Sequence, residues 1–147
     1  MIDFYSNAKN FRDAESMAAA YLVAYFGNSK IQYPISPFAI LKAEGVAFVL
    51  RNFNKLEGVY IPAAGKDDTA IVGINANRPI TRQRFTAAHE LCHHLRDADK
   101  QVACPIGQKN ASEYFADAFA SALLMPMREL KLQVEKYKDI HGKVSFE

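Results

Sequence analysis

His89-Glu90-Leu91-Cys92-His93 places two histidines four residues apart with a glutamate directly after the first. On an α-helix, residues at i and i+4 lie one turn apart on one face, so both imidazoles can reach a single ion at about 2.0–2.1 Å. Glu90 is turned about 100° from His89. It can therefore lie beside the ion without ligating it and take a proton from water at an open coordination position. The plainer reading is a pair of helix histidines that only form hydrogen bonds.

A third ligand turns the balance. Glu113 follows His93 by 20 residues, in the first turn of the next expected helix, and Asp117 is one turn later. Two imidazoles and a carboxylate leave one corner vacant, the catalytic kind of zinc site and not the closed structural kind. Asp117 can accept the outward ring N–H of a zinc-bound histidine. Taken alone, Glu113 reads as a carboxylate favoured at a helix start and Asp117 as a surface charge. Beside the histidine pair, the metal reading prevails. Manganese or iron would also accept this ligand set.

Other reactive residues are weaker. Cys92 lies on the core stripe of the motif helix and reads as structural. Cys104 reads as a loop cysteine, with a cap over the metal in an autoinhibited state as the alternative. His94 projects about 100° from His93, towards solvent or a hydrogen bond. His141 or Tyr137 could stabilise an oxyanion, although nothing local demands it. Arg82 and Arg84 at the helix start do not suit its dipole; Arg84 could anchor a neighbouring loop.

The elements that hold these residues follow from periodicity and punctuation. The motif helix is expected over Thr81–Arg96 with Thr81 as N-cap, Phe85, Ala88, Cys92 and Leu95 facing the core, and the two histidines on the adjoining stripe. A helix over Ala111–Leu124 stops before Pro126. Its Ala116 and Ala120 let the motif helix approach on the Asp117 face, while Phe115, Phe119 and Leu123 face the core. Between the two, Asp97–Asn110 reads as a loop. Upstream, a helix spans Asp13–Phe26 and ends at Gly27-Asn28. Ser36 and Pro37 start another that runs to about Ala43. Val46–Leu50, Gly58–Pro62 and Ala70–Asn75 read as three short strands. Their connections are too short for helical crossovers, so the sheet is expected to be mainly antiparallel. A charged piece, Arg128–Lys138, reads as a fifth helix. Together these make a single α+β domain over residues 1–147.

Bulk properties agree. A chain of 147 residues with 50% hydrophobic and 23% charged residues can build one core. A net charge of +2 argues against nucleic acid as the main partner. Two cysteines are too few for a disulfide framework and suit a reducing compartment. The N-terminus lacks a basic segment followed by an apolar run, and the most apolar stretch, Met17–Phe26, falls short of the ~20 residues a membrane span needs. The expected location is cytoplasmic.

Arg84-Phe85-Thr86-Ala87-Ala88-His89-Glu90-Leu91-Cys92-His93, then Glu113-Tyr114-Phe115-Ala116-Asp117-Ala118-Phe119-Ala120 and Leu123-Leu124-Met125-Pro126, resembles the ImmA/IrrE family of metallo-endopeptidases. The likeness runs from about Ala14 to Pro126, and the ligand order also resembles thermolysin-type gluzincins. It implies a zincin-like fold, zinc on His89, His93 and Glu113, Glu90 as general base, and Asp117 as the partner of His89. It further implies a protein substrate, a helix-turn-helix transcriptional repressor of phage or mobile-element type, whose cleavage relieves repression. Two departures stand out: Cys92 occupies a position usually held by Gly, and the chain ends at Glu147, where relatives commonly continue into another helix. The domain is accordingly read as short or cut at that end. A rival reading is a regulatory module that sequesters a repressor or toxin partner without hydrolysis. A purely structural zinc domain is a third, and it predicts unfolding on chelation.

Overall fold

Asp13 accepts a hydrogen bond from the Ser16 amide at 2.9 Å and so starts helix α2, Ala14–Phe26. Gly27, at φ 59°, returns its N–H to the Val23 carbonyl and ends it. Ser36 caps the Ala39 amide at the start of α3, Pro37–Ala43. A short α1, Phe4–Asn7, and a 3-10 turn, Ala8–Asn10, precede them and carry no periodicity long enough to announce them. The computed structural model describes residues 3–107, 109–125, 131–132 and 134–136. Of the helix expected over Arg128–Lys138, residues 131–132 and 134–136 are helical and the rest lies outside the described residues, as do His141 and Tyr137.

The sheet departs from expectation. It has four strands, β1 Ala47–Arg51, β2 Leu56–Ile61, β3 Ile71–Asn75 and β4 Val102–Pro105, in the order β1-β3-β2-β4. β2 pairs antiparallel with β3 and β4, whereas β1 and β3 run parallel, so the sheet is mixed. The chain leaving β1 skips one strand position, returns as β2, and turns back as β3 into the gap. A strand does the work of the crossover helix that parallel neighbours usually need. Asn75 secures this arrangement by donating to the Phe53 and Leu56 carbonyls of the β1–β2 link.

β4 lies inside the stretch expected to be a loop. It is four residues long and ends in Pro105, a residue tolerated in a sheet only at an edge. Its pairing places Cys104 opposite Gly58, next to a bulge at Leu56–Gly58.

Helix α4, Ile80–Arg96, lies across β2 and β3, and α5, Ala111–Leu124, packs between α2 and α4. Pro79, not Thr81, is the N-cap of α4, and no side chain caps it. Arg82 instead points to Glu57 (3.6 Å), and Arg84 donates to the Ile35 carbonyl (2.7 Å), tying α4 to the segment before α3. Tyr21, Leu91, Phe119, Ala120 and Leu123 fill the space between the helices, and Val72 and Ile74 that beneath the sheet. Among the described residues no helix is long and apolar enough to cross a membrane.

Candidate metal centre

Helical phase does most of the positioning. Ala87, Ala88, Leu91 and Cys92 bury one side of α4, which leaves His89 and His93 on the stripe that faces α5. Their rings meet edge to face with centroids 4.8 Å apart. Asn110 accepts the Glu113 amide at 2.9 Å and fixes the first turn of α5. Ala116 and Ala120, both fully buried, let α5 approach α4 closely enough for Glu113 to reach the histidines.

The atoms then converge. His89 Nε2 lies 3.1 Å from His93 Nε2 and 3.0 Å from Glu113 Oε2, and His93 Nε2 lies 3.0 Å from Glu113 Oε1. On the far side of each ring, Nδ1 meets a carboxylate: His89 with Asp117 Oδ1 at 2.7 Å, and His93 with Asp97 Oδ2 at 3.2 Å. A carboxylate accepts, so each Nδ1 carries the proton and each Nε2 lone pair points inward. Two lone pairs and a carboxylate facing one point repel one another unless something positive joins them. A divalent cation fits that need, and the carboxylate partners of the rings are those metal-bound histidines ordinarily keep.

The protonation equilibria say the same. Burial opposes protonation of His89, yet hydrogen bonds to Asp117 and Glu113 and the charge of Glu90 outweigh it and raise its pKa to about 9. Burial also works against the charged form of Glu113, but its bonds to both histidines hold it well below the usual carboxylate range. Without a metal the centre draws a proton to the place a cation would take.

Glu90 is fully buried, and burial pushes its pKa up to about 7. Its Oε1 accepts from the Cys104 thiol at 2.9 Å, while Oε2 has no hydrogen-bond partner among the described residues. An orphaned carboxylate oxygen at this depth is rare and marks a place for water or an ion. Room for the Glu90 carboxylate comes from Gly58: a Cβ there would stand 2.8 Å from Glu90 Oε1 and 2.7 Å from Thr86 Cγ2.

The structure thus brings His89, His93, Glu90, Glu113 and Asp117 together. His94 turns away to Tyr60, whose hydroxyl meets its Nδ1 at 2.9 Å. Cys92 sits in the core, and burial raises its thiol pKa. Two residues were missed, and a third, Cys104, had this place only as its alternative reading. Asp97 follows His93 at helical spacing and could have been found as the counterpart of Asp117. Lys109, from the β4–α5 loop, forms an ion pair with Asp117, which no local pattern signals. Cys104 corrects the loop reading: it is buried in β4, with Sγ 3.3 Å from His89 Nε2 and 3.6 Å from Glu113 Oε1. His89, His93, Cys104 and Glu113 offer ligand atoms that all lie within 4.8 Å of one another and could hold a metal ion.

The model of the Peptidase_M78 family, the IrrE N-terminal-like domain, matches residues 44–147, from the end of α3 through both site helices. No curated protein matches the chain. The chain belongs to this peptidase family.

Proposed function

Given that membership, we propose that the chain is a zinc-dependent endopeptidase with His89, His93 and Glu113 as ligands and Glu90 as general base. One observation carries the reading: acceptor atoms of three side chains, His89, His93 and Glu113, meet at 3.0–3.1 Å while both outward ring nitrogens are engaged by carboxylates. A bound zinc ion supplies Lewis acidity, polarising a scissile carbonyl and lowering the pKa of water. Glu90, raised to near neutrality, takes the proton from the attacking water and passes it to the departing amine. Asp117 and Asp97 hold the two imidazoles in the tautomer that ligation requires. The proposed substrate is a helix-turn-helix transcriptional repressor, whose cleavage switches its genes on. This part rests on the family resemblance and not on the geometry.

Cys104 at the vacant corner favours one alternative, a metal-holding module that binds a repressor or toxin partner without cutting it. Glu90→Gln separates the two. For the peptidase, zinc content stays at one equivalent while cleavage of a helix-turn-helix repressor that the native chain cuts falls by about 10²–10⁴-fold. A Gln variant that relieves repression as well as the native chain supports the binding module instead.

A further inference from the structure

Cys104 reaches the centre from the opposite side to the helices, on edge strand β4. Its Sγ lies 3.3 Å from His89 Nε2, 3.6 Å from Glu113 Oε1 and 2.9 Å from Glu90 Oε1. Zinc–nitrogen bonds of about 2.0–2.1 Å and a zinc–sulfur bond of about 2.3 Å make the edges of a tetrahedron about 3.3–3.6 Å long. The separations from Sγ to His89 and Glu113 fall on those edges, and the distances among the two histidine nitrogens and the two Glu113 oxygens that face them, 3.0–3.1 Å, are only slightly short. The thiol also occupies the place beside Glu90 where the attacking water belongs, while Glu90 Oε2 is left without a partner among the described residues.

The position is built into the sheet. Cys104 pairs with Gly58, whose missing side chain makes the space Glu90 fills, so β4 brings the thiol to the place where α4 brings the carboxylate. All four ligand side chains are buried. The cleft that leads to them, between Glu57, Arg82, Pro105 and Lys109, holds a cavity of only about 10 Å³. Ligand pockets usually offer roughly 300–1,000 Å³. Among the described residues the centre is closed.

Building on the zinc-peptidase reading, we propose that Cys104 is the fourth metal ligand and holds the resting enzyme latent. Its thiol gives up a proton on binding zinc, and the thiolate fills the corner that hydrolysis needs for water. Cleavage requires Cys104 to leave.

X-ray absorption at the zinc edge of the full chain, loaded with one equivalent of zinc, tests this without an activity assay. One sulfur at about 2.3 Å beside nitrogen and oxygen ligands at about 2.0–2.2 Å is expected, lost in Cys104→Ala and kept in Cys92→Ala. The same Cys104→Ala protein should cleave the repressor at least tenfold faster than the native chain. A shell of nitrogen and oxygen alone in the native protein overturns the Cys104 assignment while the zinc site stands. A native protein that takes up no zinc overturns both. Sulfur present but Cys104→Ala slower than native makes the cysteine a ligand without a latency role, and overturns that half.

Discussion

At the scale of single residues, the centre is governed by which atoms are left with nothing to donate. His89 and His93 spend their ring protons on Asp117 and Asp97, so their remaining lone pairs and Glu113 compete for one positive charge. Asp117→Ala and Asp97→Ala should each weaken zinc affinity by about 10–100-fold, measured by competition with a chromophoric chelator, without unfolding the protein. Unchanged affinity in both variants would show that the rings need no fixing. The residues of the candidate centre on α4 and α5 were legible in the sequence because helical spacing fixes where i and i+4 point, and the distance from His93 to Glu113 allowed a second helix to return. Lys109 was not, and Cys104 stood only as an alternative, since strand pairing and loop closure bring them in, and neither has a period.

At the scale of elements, β4 decides how the centre is covered and where a peptide could add. The strand expected over Ala70–Asn75 lies between β1 and β2, and Val72 and Ile74 are fully buried. Charged substitutions there would destroy the core and reveal nothing about substrate. Among the described residues the edges are β1 and β4, and β4 is the one beside the candidate ligands. Opposite it, Gly58 is held to glycine by crowding, with the Gly73 carbonyl 3.0 Å from where a Cβ would stand. Gly58→Ala should lower the stability of the fold by about 1–3 kcal/mol in chemical denaturation and reduce cleavage by displacing Glu90. Gly65→Ala, where a Cβ meets nothing within 4 Å, serves as the control and should leave cleavage unchanged. Equal behaviour of the two variants would remove Gly58 from the account. The boundaries of α2, α3 and α5 were readable to within a residue because Asp13, Ser36 and Asn110 cap what periodicity proposed, whereas α4, with no side-chain cap, has its N-cap two residues before the expected one. Strand order was not, since short apolar runs do not encode which neighbour they choose.

At the scale of the whole molecule, the candidate metal centre sits beside a core with aromatic packing of its own. Tyr21 of α2 meets Phe119 of α5 with ring centroids 6.5 Å apart, and Arg96 stacks over Phe115 at 3.9 Å, both away from the ligands. Removing zinc with a chelator should therefore lower the melting temperature yet leave the far-ultraviolet circular dichroism at low temperature intact. Loss of that signal would make the zinc structural, as in small domains that unfold without it. The most direct test of the centre is anomalous diffraction at the zinc edge from crystals of the zinc-loaded chain. One peak within about 2.0–2.2 Å of His89 Nε2, His93 Nε2 and a Glu113 oxygen is predicted; a map with no peak there, or with zinc held by other residues, would contradict it.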